Sequence, residues 1–262
     1  MDLGIAGKKA LVMSSSRGLG LGIAEALAAE GCDVLLTGRT EEKLRAAAEA
    51  ITAKGAGRAD YVRVDLTEEM SVDVLAKAAE DKLGRVDILV NNTGGPPPGR
   101  MVDAEPDVLA LQFDAMVLRV VSLTKHVLPG MRERGWGRIV TVGSSGVVQP
   151  IPNLGLSNAI RSALVGWSKS LSGDVAADGV TVNMLLPGRI HTERVDELDA
   201  AASKRTGKSV EDTRTASRAT IPVGRYGTVE EFAAVAAFLC SAQASYVTGS
   251  LVRCDGGAIR GV

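Results

Sequence analysis

The sequence predicts a doubly wound α/β fold, one parallel sheet of seven strands with helices on both faces. Two observations predict the class. Short apolar runs of strand length alternate with segments of helical period through roughly the first 190 residues. Strands joined through helices require crossover connections, hence parallel pairing and a sheet covered on both sides. A third observation bears on domain count. The chain has 262 residues with no internal repeat or low-complexity tract, so one domain over 1–262 is expected.

The elements follow in order. Residues 10–13 are a short apolar run, and 14–18 a Ser/Gly turn. Leu19, Ile23, Leu27 and Ala28 then recur at helical spacing up to Gly31, a helix stop. Residues 33–37 form the second strand, and Thr40 opens an Ala-rich helix ending near Gly55. A third strand at 61–64 precedes a helix from Thr67 to Gly84. A fourth at 86–90 runs into Asn91-Asn92-Thr93-Gly94 and a loop stiffened by Pro96, Pro97 and Pro98. A long helix is expected over 105–134, a strand over 138–142, a helix over 156–177 and a strand over 180–186. Residues 189–221 are charged, rich in Ala, Thr and Ser, and weakly apolar, which suggests a mobile substrate lid within the domain. A helix over 230–240 and a strand over 251–254 complete the pattern.

Composition narrows the function. Thirty basic and 31 acidic residues leave a net charge of −1, so there is no electrostatic footprint for nucleic acid or anionic lipid. No stretch approaches the ~20 apolar residues of a membrane span. Cys32, Cys240 and Cys254 are odd in number and widely spaced, which argues against a disulfide framework or structural zinc and fits a reducing cytoplasm. Lys8 and Lys9 follow only a very short apolar stretch, unlike a secretory signal. With His126 and His191 alone, a multi-histidine metal site is not expected.

A strand feeding a Gly-rich turn and then a helix is a phosphate-binding geometry, because amide N–H groups and the helix dipole face the pyrophosphate. Here the turn reads Met13-Ser14-Ser15-Ser16-Arg17-Gly18-Leu19-Gly20-Leu21-Gly22, without the full G-x-G-x-x-G spacing because Ile23 takes the last position. Alone it also fits a purely structural turn. Together with Val64-Asp65-Leu66, Asn91-Asn92-Thr93-Gly94, the segment from Pro187 to Thr192, and Ser245-Tyr246-Val247-Thr248-Gly249, it resembles the short-chain dehydrogenase/reductase family. The resemblance is particularly to the β-ketoacyl-carrier-protein-reductase-like branch.

That resemblance implies a Rossmann-type fold and a nicotinamide cofactor. Ser14, Ser16, Arg17, Gly18, Leu19 and Gly20 would hold the pyrophosphate side. Asp65 and Leu66 would border the adenine, and Asn91, Thr93 and Gly94 the adenine-ribose side and strand end. Pro187, Gly188, Ile190 and Thr192 would hold the nicotinamide carboxamide and pyrophosphate. The family usually opens the first turn Thr-Gly, where this chain has Met13-Ser14, so Ser14 must accept a strained conformation or a different turn. An acidic residue after the second strand would favour NAD. Gly38-Arg39 stands there instead, and with Arg17 it offers two guanidinium groups to a 2′-phosphate, favouring NADP. The plainer alternative has Arg39 facing solvent or paired with Glu42.

In the family a tyrosine protonates the developing alkoxide, a lysine four residues on lowers its pKa, a serine polarises the carbonyl, and an asparagine supports a proton relay. By resemblance the serine is Ser144. The tyrosine position reads Ser157, the lysine Arg161 and the asparagine Met116. An aliphatic hydroxyl is a far weaker acid than a phenol, and an arginine does not give up its proton. Ser144, Ser157 and Arg161 are the candidate catalytic residues of an atypical member lacking the catalytic tyrosine and lysine. Structural alternatives are a helix N-cap for Ser157, a surface position for Arg161 and a strand end for Ser144 and Ser145.

His191, in the segment expected to cross the nicotinamide, is a candidate proton shuttle, and His126 reads as structural. Arg119, Arg189 and Arg194 suit an acidic substrate or a solvated face equally. None of Tyr61, Tyr226 and Tyr246 is a near-sequence substitute for the missing phenol, though Tyr226 could approach the cleft. The expected function is an NADP-dependent oxidoreductase, with NAD less favoured, acting on a small carbonyl, hydroxy, imine or activated C=C substrate. The alternatives are an inactive nucleotide- or metabolite-binding relative, or loss of the nucleotide site as well. The family resemblance also implies a homo-oligomer, tetramer or dimer.

Overall fold

The strands are β1 (Lys9–Val12), β2 (Asp33–Gly38), β3 (Ala59–Arg63), β4 (Ile88–Asn91), β5 (Gly137–Val142), β6 (Val180–Pro187) and β7 (Leu251–Cys254). All pair in parallel in the order β3-β2-β1-β4-β5-β6-β7. A computed structural model describes residues 2–261; Met1 and Val262 lie outside the described residues. The result is a seven-stranded Rossmann-like sheet flanked by helices, as the sequence predicts.

Central strands of such a sheet are buried on both faces and therefore read as continuous apolar runs. Their alternating side chains divide between two cores. Ala10, Val12, Val34 and Leu36 pack with Ile23 and Leu27 of α1 (Gly18–Ala29), Leu44 of α2 (Glu41–Ala53) and Phe232 of a later helix. Leu11, Met13 and Leu35 pack on the other face. Their partners there include Leu75 of α3 (Ser71–Leu83) and Val120 of α5 (Arg119–Glu133). Leu164 of α6 (Gly155–Val175) completes that face.

Three boundaries depart from expectation. The helix foreseen from Thr67 begins at Ser71, because Asp65 Oδ1 accepts from both the backbone N–H and the hydroxyl of Thr67 and folds that stretch as a turn. The long helix over 105–134 divides into α4 (Pro106–Phe113) and α5, separated by one π turn at Asp114–Leu118. Residues 189–221 fold as two helices, α7 (Glu193–Thr206) and α8 (Val210–Ala219). The final helix α9 (Val229–Leu239) starts on a capping box, in which Thr228 and Glu231 satisfy each other's backbone amides.

Strand order reverses direction between β1 and β4. The carboxyl ends of the strands at that point leave the crevice where doubly wound folds place their ligands.

Candidate active site

The turn leaving β1 forms one wall. Ser14 takes the strained option, with φ +47°, a conformation that favours glycine. Two contacts hold it there: its N–H donates to Thr37 Oγ1 at 3.0 Å, and its carbonyl accepts from Asn92 Nδ2 at 3.1 Å. Ser15 is buried and stitches the turn to the sheet, donating to Val12 O while accepting from the Thr37 N–H. Ser16 lies beside Gly38, where any Cβ would come within 3.0 Å of its hydroxyl. α1 begins at Gly18, itself at φ +58°, with no side-chain cap, so its first amides remain available to a ligand. Gly20 admits no side chain, since a Cβ there would lie 2.7 Å from Asn92 Nδ2 and closer still to Ser14 O. Leu19 anchors the helix start against the first core.

The two arginines differ in their partners. Arg17 pairs with Glu193 at the start of α7, with Glu197 3.9 Å away. Arg39 is exposed and has no ion pair among the described residues, so the pairing with Glu42 does not form. Partial burial opposes ionisation of Asp65. The hydrogen bonds from Thr67 and the charges of Arg39 and Arg63 outweigh it and hold the carboxyl below its usual range. Leu66 packs against the second core.

At the end of β4, Asn91 is buried and donates to Thr124 and Thr141 at 3.2 and 3.4 Å. Its Oδ1 and the Thr93 hydroxyl are buried without a partner among the described residues. Opposite, β6 ends at Pro187, and Gly188 packs so closely on Asp255 that a Cβ would fall 2.7 Å from its Cα. Ile190 is buried and bridges Gly227. Thr192 brings its methyl within 3.7 Å of the Cβ position of Gly18, so the loop after β6 closes against the first turn.

Ser144 follows β5. Its oxygen accepts the Gly146 N–H at 3.0 Å, which leaves the hydroxyl proton free to donate. The strand ends at Val142, and the hydroxyl caps the following turn. Ser157 sits in the first turn of α6, half-buried, and its hydroxyl makes no hydrogen bond among the described residues. The N-cap reading is therefore wrong, because Leu154 occupies that position. Arg161 is not a surface residue either. It is 8% exposed, and its guanidinium donates to Val142 O at 2.9 Å and Gly94 O at 3.1 Å. It thereby ties the ends of β4 and β5 together. Burial, with the charge of Arg194, pushes it down to about 10, so it is still a cation at neutral pH. Met116 lies in the π turn and is buried in the second core with Ile160 and Leu164 of α6. Such π turns are frequent at functional sites, and no residue-type signal announced this one.

The remaining candidates gather at the lid. His191 is exposed, with Nε2 3.4 Å from Asp196 and its ring 6.5 Å from that of Tyr226. The Tyr226 hydroxyl donates to Asp199 Oδ2 at 2.9 Å. Burial, and then the Asp199 bond, keep this phenol above its ordinary pKa and commit it to the lid. Tyr246 is fully exposed, and Tyr61 lies in the outer strand β3. Asp199 escaped the sequence reading. It is 1% exposed and also accepts from Arg189 at 2.9 Å, with Arg214 at 3.8 Å. The available signal was its i+4 spacing from the buried Val195, which sets both on the inward face of α7. Arg119, the first residue of α5, pairs back across the π turn with Asp114 at 2.8 Å.

A family model described as enoyl-(acyl carrier protein) reductase matches residues 13–258. The 3-oxoacyl-[acyl-carrier-protein] reductase of Vibrio cholerae is 35% identical over 257 residues, covering 97% of this chain and 98% of that protein. The chain belongs to the short-chain dehydrogenase/reductase family. The same-named reductase of Escherichia coli is 36% identical, covering 96% and 97%. Among solved structures, L-sorbose reductase from Gluconobacter frateurii, complexed with NADPH and L-sorbose, superposes with a TM-score of 0.94 at 33% identity over the whole of both chains. This family member is an oxidoreductase type that resembles the 3-oxoacyl-carrier-protein reductase branch. No described helix is long and apolar enough to cross a membrane, and the described residues contain no cluster of potential metal ligands.

Proposed function

We propose that the chain is an NADP-dependent reductase of a small carbonyl or related substrate, in which Ser144, Ser157 and Arg161 take the place of the family's usual proton-donating set. The observation that carries the reading is the uncapped start of α1 beside two arginines, with no carboxylate at the end of β2. An uncapped helix start suits a pyrophosphate, and the guanidinium groups suit a 2′-phosphate. Buried, unpartnered Asn91 Oδ1 and Thr93 Oγ1 also fit a polar ligand along the end of β4. The NADPH named with the sorbose reductase supports the same preference.

When bound, NADPH supplies the hydride. Ser16, Arg17, Gly18, Leu19, Gly20 and Arg39 bind its phosphates, with Ser14 shaping the turn. Asp65 and Leu66 border the adenine, Asn91, Thr93 and Gly94 the ribose side, and Pro187, Gly188, Ile190 and Thr192 the nicotinamide side. Ser144 turns its free hydroxyl proton toward the substrate oxygen, and Ser157 orients the reacting group from the first turn of α6. Arg161, one turn further along, sets a positive charge beside the developing oxyanion, and solvent or His191 delivers the proton. The α7–α8 segment serves as the lid. Its Arg17–Glu193 contact reaches the first turn, and its Arg194–Pro96 contact reaches the loop after β4.

Two further properties belong to this reading. Three free cysteines suit the cytoplasm. The exposed Leu251 of β7 and Tyr246 suit self-association into a homo-oligomer, a tetramer or dimer.

The test is NADPH oxidation across a panel of carbonyl and conjugated substrates, alongside fluorescence titration with NADPH and NADH. Turnover with preferential NADPH binding is expected. Tight NADPH binding with no oxidation across the panel contradicts the proposal.

A further inference from the structure

We infer that Asn158 is a positioning residue for Ser144: acting through Gly146, it holds in place the hydroxyl that meets the substrate oxygen. The inference rests on the reductase reading above, which sets Ser144 at that oxygen. A hydroxyl on a short side chain is aimed only as well as the backbone beneath it is fixed, and a displacement of about 1 Å can cost on the order of a hundredfold in rate.

Ser144 opens a segment with few bonds of its own. Residues 144–154 join β5 to α6 and contain one short helical turn, Ser145–Val147. Within it the Val147 N–H donates to Ser144 O, and those of Val148 and Gln149 donate to Ser145 O. The chain then runs Gln149-Pro150-Ile151-Pro152, where neither proline has an N–H to offer. Ile151 alone of those three residues after Gln149 carries both backbone groups, and Asn158 engages both. Its Oδ1 accepts the Ile151 N–H at 3.3 Å, and its Nδ2 donates to Ile151 O at 3.0 Å.

The same Oδ1 lies against Gly146. A Cβ on Gly146 would fall 2.4 Å from Asn158 Oδ1 and 3.2 Å from Ser144 Oγ, so the amide oxygen and the serine hydroxyl flank one point. The Gly146 N–H is also the donor that fixes Ser144 Oγ, at 3.0 Å. Asn158 thus bears on the residue that orients the serine and clamps the chain again at Ile151. Arg161, three residues along the same helix, holds Val142 O, two residues before Ser144. The start of α6 therefore grips the chain on both sides of Ser144. Asparagine is a poor residue for a helix interior on propensity alone, and these contacts supply the reason for it here.

The experiment is a double-mutant cycle on kcat for NADPH oxidation with a carbonyl substrate, using Ser144→Ala, Asn158→Ala and the pair, beside hydrogen exchange of the Gly146 amide. Asn158→Ala should lower kcat by about tenfold to a hundredfold, with KM and NADPH affinity nearly unchanged. In the pair the loss should be no greater than in Ser144→Ala alone, because Asn158 acts through that hydroxyl. Exchange at Gly146 should accelerate by about tenfold or more while the middle of α6 keeps its protection. Losses that multiply in the pair, an unchanged kcat in Asn158→Ala, or unchanged exchange at Gly146 overturns the inference. Should Asn158→Ala fail to fold, Asn158→Asp carries the same cycle, since it keeps the shape but turns an oxygen toward Ile151 O. Faster Gly146 exchange in a chain that oxidises no NADPH would keep the hold on Ser144 and sink the reductase reading. Turnover with multiplying losses would do the reverse.

Discussion

The two sides of the cleft differ in how their polar groups are held, although Asn91 Oδ1 and Thr93 Oγ1 at the end of β4 also lack partners among the described residues. On the β1–β2 side, polar groups are left short of partners: the first amides of α1 have no side-chain cap, and Arg39 makes no ion pair among the described residues. On the β4–β5 side, the informative side chains are drawn inward. Arg161 is bound to two backbone carbonyls, and Met116 is buried in the core. A site built from backbone amides tolerates Ser14 where glycine is usual, since neighbours can hold the strained conformation. On the function proposed above, a site that must donate a proton depends on side-chain identity, so a substitution there would alter the chemistry itself.

Four perturbations sharpen the contrast, beginning with the largest. Gly20→Val should break the β1–β2 side by forcing apart Ser14 and Asn92. Overpacking typically costs ~1–3 kcal/mol, so NADPH binding should weaken by about tenfold to a hundredfold in fluorescence titration. Arg39→Asp should come next, lowering NADPH affinity by about tenfold while leaving NADH affinity nearly unchanged or improved, because a carboxylate repels a 2′-phosphate. Glu193→Gln frees Arg17 from its exposed ion pair, so NADPH should bind slightly more tightly, by no more than about fivefold, and lose part of that gain in salt.

The smallest effect concerns pH. Glu231 is held down to about 2 by Arg225, and then by the Thr228 amide. Its folded-state pKa lies below the unfolded value of 4.5, so its contribution is complete above about pH 4.5 and is lost as pH falls toward 2. Hydrogen exchange at the start of α9 should accelerate across that window, and Glu231→Gln should remove the dependence.

Much of the fold was legible in the sequence, for identifiable reasons. Buried parallel strands carry apolar runs, such as Met184-Leu185-Leu186 in β6, and helices such as α1 repeat apolar residues along one face. The π turn at Asp114–Leu118 was not legible, because it changes hydrogen-bond register without changing the apolar pattern. Nor was the late start of α3, since the Asp65–Thr67 turn competes locally with a helix. Within the site, the strain at Ser14 could be anticipated from the missing glycine. The burial of Arg161 could not, because its acceptors are carbonyls of distant segments that carry no side-chain signature. Asp199 was hidden for the opposite reason: a charged residue in a charged segment reads as solvated until Arg189 and Tyr226 are seen to enclose it.

The most direct measurement is kcat for NADPH-dependent reduction of a carbonyl substrate by the Ser157→Tyr/Arg161→Lys double variant against the unaltered chain. A positioned general acid contributes typically about 100-fold or more, so kcat should rise by that order if the substituted residues limit proton delivery. An unchanged or lower kcat in a folded double variant that still binds NADPH would contradict the account.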